Sequence, residues 1–234
     1  MNKLSGKMRS TLVLALSAAT LSGMVGCKKN NPAPSNSANV MFVNGCPGTL
    51  PGIDTKLDNI NVSGALNIAF GNNSGYKNVK AGSAVTIAYF ITNSGTPVIS
   101  NAVDITKDLN YTAFCGGIIT APKFVFVQDD KTAPANNTAK IRFVNLSSDA
   151  MSVTANVQNI VIDSGVTSLE VTPYLSVTAG TYDLKAGDPS NINTVVTIGS
   201  AQTLAAGKIY TLMLTGTVAG TGVSALKLTL INNN

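Results

Sequence analysis

Ile141-Arg142-Phe143-Val144-Asn145 decides the fold, because the chain contains nearly the same stretch earlier, at Val40-Met41-Phe42-Val43-Asn44. Each copy follows a short polar segment and opens a long region that runs in parallel with the other. Around the second copy, Ile141 and Phe143 alternate with Lys140 and Arg142, as they would in a half-buried strand. We therefore expect Ile141 and Phe143 to face a core, and Lys140 and Arg142 to face solvent.

Further matches extend the duplication along the chain. Tyr76 corresponds to Tyr174, and the Tyr-Thr pair at Tyr111 corresponds to the one at Tyr210. Repeat 1 is assigned to residues 38–130, a linker to 131–138 and repeat 2 to 139–234. Each repeat is long enough for a core of its own, so we predict two domains that fold separately.

Both repeats contain strand signals and no sustained helical periodicity. Short runs rich in Val, Ile, Thr, Phe and Tyr are interrupted by turn residues, for example in 85–92, 123–128, 194–198, 208–215 and 224–231. This spacing is typical of β-sandwiches. The sequence predicts an all-β protein built from two tandem sandwiches.

One local pattern makes the fold prediction more specific. Leu204-Ala-Ala-Gly207-Lys-Ile-Tyr210 has the spacing of the tyrosine corner found in Greek-key sandwiches, and repeat 1 has a similar segment that ends at Tyr111. Asp108 takes the place of the turn glycine in repeat 1. We expect each tyrosine ring to pack in the core while its hydroxyl donates a hydrogen bond to an upstream backbone carbonyl. The alternative is two ordinary core tyrosines.

The N-terminus predicts export. A basic start precedes a short apolar run, Thr11 to Ala19, which suits the core of a signal peptide and is too short to span a bilayer. Met24-Val25-Gly26-Cys27 resembles the lipobox of bacterial lipoproteins, which implies cleavage before Cys27 and lipid on that cysteine. The alternative is an ordinary secretory signal with an incidental cysteine.

These features assign a signal peptide to residues 1–26 and a lipidated cysteine with a flexible tether to 27–37. We therefore predict a lipid-anchored protein of the cell envelope, in the outer membrane. Lys28 and Lys29 occupy the positions at which acidic residues direct some lipoproteins to the surface. Their presence favours the periplasmic face over the cell surface.

The charge of the body argues against nucleic acid as a partner. The chain has 16 basic and 11 acidic residues, but five of the basic ones precede Ala38: Lys3, Lys7, Arg9, Lys28 and Lys29. The rest of the chain is neutral and has no long-range attraction for phosphate backbones.

The inventory of chemical groups gives no catalytic or metal-binding candidate. The chain contains no histidine, which excludes imidazole catalysis and histidine-bound metals, and Glu170 is the only glutamate. Asp129-Asp130 could bind a cation, but its position in a polar segment favours a solvated turn. We predict no enzyme activity, no metal and no cofactor.

Cys46 and Cys115 are the two cysteines other than Cys27, and both belong to repeat 1. Two thiols in an oxidising compartment usually pair, so a disulfide is possible here. Two separate buried thiols are the alternative, because the sequence does not show that their strands are neighbours.

The segment 139–150, the stretch from Tyr174 to Gly180 and the stretch from Leu204 to Thr211 together resemble the domain-of-unknown-function family 4397. The resemblance covers both repeats and implies immunoglobulin-like sandwiches, which are often tandem in exported bacterial proteins. Repeat 1 departs from the pattern, since Met41 stands in place of the arginine. The family has no established catalytic residues to transfer.

Together these features predict a non-catalytic envelope lipoprotein that is attached to the membrane by its lipid. Its surface would bind a glycan or a protein partner. The alternative is a structural or adhesive subunit that assembles through exposed strand edges.

Overall fold

β-Branched and aromatic residues form strands throughout the part of the chain that the structure describes, residues 36–191 and 195–234. In this computed structural model, repeat 1 contains eight strands: β1 Ser37–Asn44, β2 Ile53–Leu57, β3 Ile60–Asn61, β4 Asn73–Lys80, β5 Gly82–Ile91, β6 Pro97–Ile105, β7 Asn110–Ile118 and β8 Ala121–Gln128.

Repeat 2 contains ten strands among the described residues: β9 Thr138–Asn145, β10 Val153–Val157, β11 Ile160–Val166, β12 Leu175–Thr178, β13 Gly180–Tyr182, β14 Leu184–Gly187, β15 Val196–Thr197, β16 Gln202–Leu204, β17 Ile209–Thr215 and β18 Lys227–Asn232. A short 3₁₀ turn at Gly222–Ser224 lies between the last two strands. Within the described ranges, no helix is long and apolar enough to cross a membrane.

Each repeat is a sandwich of two sheets. Repeat 1 pairs a sheet of order β4-β1-β7-β8 with one of order β3-β2-β5-β6. Repeat 2 has the equivalent sheets β12-β9-β17-β18 and β11-β10-β14-β15, plus the small pair β13-β16. The first strand of each repeat lies parallel to a late strand, β1 to β7 and β9 to β17. The predicted all-β fold of two tandem sandwiches is confirmed.

The inner faces of the two sheets form a separate core in each repeat. Val40, Phe42 and Tyr89 are fully buried in the core of repeat 1. Ile141 and Phe143 are fully buried in the core of repeat 2. The prediction that Ile141 and Phe143 face a core is therefore correct.

A third cluster lies between the repeats, where the outer face of the β1–β7 sheet meets the outer face of the β9–β17 sheet. It contains Met41, Val43, Phe114, Val144, Leu146, Met213 and Ile231, all at most 2% exposed. We call it the inter-repeat core. All described residues belong to one compact unit, and β1, β7, β9 and β17 are buried on both faces.

This arrangement corrects the expectation for Arg142. The alternating pattern placed Arg142 on a solvent face, but the residue is only 1% exposed. The reason is that the outer face of β9 is covered by repeat 1. Lys140, at the end of the same strand, is only partly buried.

Candidate functional site

Arg142 and Asp129 form a buried ion pair that joins the two repeats. Arg142 lies on β9, and Asp129 follows the end of β8. The Arg142 Nη2 atom is 2.6 Å from Asp129 Oδ1, and the two side chains are 2% and 0% exposed. The pair therefore lies in a region from which water is excluded, where each charge depends on its partner.

Hydroxyl groups bond further polar atoms of the pair. Tyr76 and Thr112 both donate to Asp129 Oδ2, at 2.7 and 2.6 Å. Arg142 Nε donates to Thr211 Oγ1 at 3.0 Å. This network uses residues from both repeats and from four different strands, so it fixes how the two sheets meet.

Two tyrosines enclose the ion pair. Burial and the nearby charge of Asp129 raise the pKa of Tyr76 well above its ordinary value, which keeps its hydroxyl protonated as a donor. The Tyr174 ring lies 4.7 Å from the Arg142 guanidinium, in cation–π geometry. Burial raises the pKa of Tyr174 to about 12, and its hydroxyl lies near Thr211 without forming a hydrogen bond of good geometry among the described residues.

The duplication makes the site asymmetric. The strand registers place Met41 opposite Tyr76 in repeat 1, which is the position that Arg142 occupies in repeat 2. Asp129 corresponds in the same way to Asn233. The backbone amide of Asp129 donates to the Asn110 carbonyl, and that of Asn233 donates to the carbonyl of the equivalent residue, Ile209. Only one of the two equivalent positions therefore holds a charge pair. At the other, the Asn233 side-chain amide lies near the Tyr76 hydroxyl but forms no hydrogen bond of good geometry among the described residues.

Lys131, the first residue of the linker, contacts Asn233. Its ammonium donates to the carbonyl of Asn233 and lies 4.4 Å from the Tyr76 ring centroid. Burial lowers the pKa of Lys131, and the positive charge of Lys208 lowers it further, while Asp129 opposes the change.

The prediction of a solvated turn at Asp129-Asp130 is wrong for Asp129. Its carboxylate is fully buried, because the chain turns inward after β8 to reach Arg142. Asp130 is exposed and accepts a hydrogen bond from Lys140 at 2.7 Å. That contact and the bonds from Thr132 lower the pKa of Asp130. Among the described residues, no cluster of three or more His, Cys, Asp or Glu side chains could hold a metal ion.

The predicted corner tyrosines bond the segments that precede them. Tyr210 Oη accepts a hydrogen bond from the Ala205 amide at 3.1 Å, and Tyr111 Oη accepts one from the Thr106 amide at 3.2 Å. The expected direction, from the hydroxyl to a carbonyl, is therefore reversed. The turn residues Gly207 and Asp108 both have positive φ, 74° and 63°, so Asp108 adopts the conformation that glycine favours.

Cys46 and Cys115 are free thiols in the structure, and both are fully buried. Their strand segments are neighbours, because the Gly45 amide donates to the Cys115 carbonyl at 2.7 Å. A hydrogen bond from the Cys115 thiol lowers the pKa of Cys46, and the same bond, together with burial, raises the pKa of Cys115. Whether the two thiols form a disulfide stays a prediction. Cys27 lies outside the described residues.

The sequence contained one signal for the site that was missed. Arg142 is the only arginine after Arg9, and it replaces the apolar Met41 of the other repeat. A charge that appears in only one of two copies indicates a contact that only one copy makes. The position of Asp129 in a polar segment gave no such signal.

Comparison with protein families adds the last observation. The pattern of DUF4397, a domain of unknown function, matches residues 38–156 and 148–234, and so nearly all of the described chain. The chain belongs to the DUF4397 family. A comparison with curated proteins found no significant match. The two matches agree with the tandem DUF4397 copies that the resemblance implied.

Proposed function

We propose that this DUF4397 protein is a non-catalytic binding module, anchored in the cell envelope by lipid on Cys27, and that its far end binds a protein partner. The observation that carries the proposal is a set of exposed aliphatic side chains in loops of both repeats. They are Leu50, Met151, Val218 and Val223, which are 74%, 56%, 40% and 64% exposed. We call these four residues the distal patch.

The distal patch lies at the end of β1 and β9 that is opposite to the start of the described chain. Leu50 follows β1, Met151 follows β9, and Val218 and Val223 follow β17. The described chain begins at Asn36, at the opposite end of β1. Cys27 is nine residues before Asn36, which limits the reach of the tether to about 30 Å. An anchored protein would thus present the patch away from its membrane.

Contacts within and between the repeats support a rigid patch. Val218 donates its amide to Asp149 Oδ1 at 3.0 Å, which connects the loop after β17 to the loop after β9. The Gly117 amide donates to the Leu146 carbonyl at 3.0 Å and connects this end of repeat 1 to repeat 2. A surface that is already ordered loses little conformational entropy when it binds a partner.

The composition of the patch favours a protein over a glycan. Its four side chains are aliphatic, whereas sugar rings are usually held by aromatic faces and polar groups. Exposed apolar groups in one region are typical of protein–protein contacts. The non-catalytic part of the proposal is supported by Asp129 and Arg142, whose charges are sealed from solvent by their own network.

A pull-down with matched variants tests the binding proposal. The fragment Ala33–Asn234, which includes both sandwiches, is used as bait in envelope extract. We expect a partner that is retained by the wild type and lost by the Met151→Lys, Val223→Lys double variant. The control is Val161→Lys, which changes another exposed valine (50%), in the β10–β11 hairpin. A partner lost with Val161→Lys and kept by the double variant would contradict the role of the distal patch.

The anchoring part has a separate test. The intact mass of the membrane-extracted protein should show loss of residues 1–26 and addition of acyl chains to Cys27. A Cys27→Ser protein that still partitions with membranes would contradict it.

A further inference from the structure

A groove opens at one edge of repeat 1, between the β2–β3 hairpin and strand β4. Its volume is about 490 Å³, within the range of small-molecule sites. Aliphatic side chains line part of the groove, at Leu57, Ile60, Val62, Val79 and Val85, and polar residues such as Asn61, Ser63 and Ser83 line the rest. Ile60 is 73% exposed at its lip. The groove exists because β3 has only two residues and leaves the edge of the sandwich uncovered.

Lys77 places a positive charge against these aliphatic walls. It lies two residues before the buried Val79 on β4, so both side chains extend from the core-facing side of the sheet. The Lys77 side chain reaches across to Gly64, beyond β3. Lys80 also lines the groove. Within the described ranges, neither ammonium forms an ion pair or a hydrogen bond with another residue.

The equivalent edge of repeat 2 is filled. The registers place Leu175 at the position of Lys77, and Tyr182 at the position of Val85. Both side chains pack against the core of repeat 2, and Tyr182 Oη donates to the Thr178 carbonyl at 2.8 Å. The seven-residue strand β11 covers the edge that the short β3 leaves open. Repeat 1 thus has an opening and a cation where repeat 2 has a closed apolar contact.

We propose that this groove binds a fatty acid, with the hydrocarbon chain against the aliphatic walls and the carboxylate paired with Lys77. Lys77 occupies the position of Leu175, which packs against the core of repeat 2, and without an acidic partner among the described residues its charge is available to an anionic ligand. Among the described residues, no aromatic side chain lines the groove, so they provide no platform on which sugar rings stack. Asp58 also lines it, but its carboxylate accepts the Thr86 amide at 2.9 Å.

The groove lies at the anchored end of the molecule. Asn36 exchanges hydrogen bonds with Ala81, one of the lining residues, at 3.1 and 3.2 Å. If Cys27 carries lipid, the groove is within reach of the membrane, which is a source of fatty acids. Only this last step depends on the proposed anchoring.

Calorimetric titration of the fragment Ala33–Asn234 with dodecanoate tests the proposal without Cys27. We expect saturable binding of dodecanoate at a stoichiometry of one, and no binding of acetate, which lacks the tail. Dodecyltrimethylammonium, with a similar tail and the opposite charge, should bind at least about tenfold more weakly. Failure here would leave the acylation of Cys27 and the distal patch unaffected.

Two variants locate the site. Lys77→Met keeps the apolar stem and removes the charge, so dodecanoate affinity should fall at least about tenfold. Val85→Tyr introduces the side chain that fills the edge of repeat 2 and should abolish binding. Lys185→Met, at an exposed lysine of β14, should bind as the wild type does. A thermal melt of each variant confirms that it is folded.

Several outcomes would overturn the proposal. They are no dodecanoate binding, unchanged affinity of folded Lys77→Met, or equal affinity for the cationic amphiphile. Equal affinity for dodecyl glucoside would assign the groove to a neutral amphiphile or a glycan. A dimer that Val85→Tyr dissociates, without dodecanoate binding, would assign the groove to a second copy of the chain.

Discussion

Tyr210 and Tyr174 show how much a single hydroxyl depends on its surroundings. Tyr210 Oη accepts a hydrogen bond from the backbone amide of Ala205, and Ala205 is exposed to solvent. Tyr174 Oη is buried and forms no hydrogen bond of good geometry among the described residues. We therefore expect removal of the Tyr210 hydroxyl to reduce the stability of the protein more than removal of the Tyr174 hydroxyl.

The first prediction compares Tyr210→Phe with Tyr174→Phe. Tyr210→Phe strands the Ala205 amide, but water can reach that group, so the loss should be about 1 kcal/mol. Tyr174→Phe removes an unsatisfied buried group and should leave stability at pH 7 unchanged or slightly higher. The measurement is the urea midpoint at constant slope. Equal losses for both variants would refute the assignment of the two hydroxyls.

The second prediction concerns alkaline pH. The pKa of Tyr174 is raised to about 12 in the folded protein, above the unfolded value of about 10. The folded state therefore holds this proton more tightly, and its contribution to stability is complete below pH 10. It is lost as the pH rises from about 10 toward 12. Tyr174→Phe should reduce this loss by about 1 to 3 kcal/mol.

Urea unfolding at pH 9 and at pH 11.5 measures the effect. Tyr76 and the lysines also titrate in this range, so the difference between wild type and Tyr174→Phe isolates one group. Identical pH dependence of the two proteins would show that Tyr174 is accessible to water.

Single residues also show what the sequence could and could not predict. The tyrosine corners depend on local spacing, and their positions were predictable, although the direction of the hydrogen bond was not. The pairing of Asp129 with Arg142 depends on how two sheets meet, which no local pattern encodes. An arginine on the polar side of an alternating strand looks the same whether water or another domain covers it.

Among the structural elements, β1 and β9 explain the limits of the alternating pattern. The alternation correctly identifies the inner face, with Val40 and Phe42 in β1 and Ile141 and Phe143 in β9. The outer faces of the same strands are also apolar, at Val43 and Val144, and they form the inter-repeat core. Strands that are buried on both faces do not alternate strictly between apolar and polar residues. The loss of this alternation in β1 and β9 indicates a sheet that is packed on both sides.

The third prediction depends on the pairing of β1 with β7. This parallel pair brings Cys46, which lies just after the end of β1, beside Cys115 within β7. We expect that oxidation closes a disulfide, which would stabilise repeat 1 by roughly 4 kcal/mol in the chain-entropy view. The checks are the non-reduced intact mass and the urea midpoint with and without reductant. A midpoint that reductant does not change, with free thiols by mass, would leave two buried cysteines.

At the scale of the whole molecule, the duplication produces two cores and then a third one that both copies share. Isolated repeat 2 would expose Val144, Leu146 and Met213, and would leave Arg142 without Asp129. The fourth prediction is that residues 139–234 alone fold, because their own core is complete, but unfold at a lower temperature than repeat 2 does in the fragment Ala33–Asn234. A thermal melt followed by circular dichroism tests it, and an equal midpoint would mean that the repeats are energetically independent.

The central claim is that the buried pair Asp129–Arg142 joins the two repeats into one body, and a double-mutant cycle tests it most directly. Each substitution uses the residue of the other repeat: Asp129→Asn follows Asn233, and Arg142→Met follows Met41. Each single variant leaves one buried charge unpaired and should lose about 3 to 5 kcal/mol in urea unfolding of the fragment Ala33–Asn234.

The double variant removes both charges and should lose much less than the sum of the single losses, with a coupling energy of about 2 kcal/mol or more. Single losses that add within about 0.5 kcal/mol would show that the two residues do not interact, and would contradict the joined arrangement of the repeats.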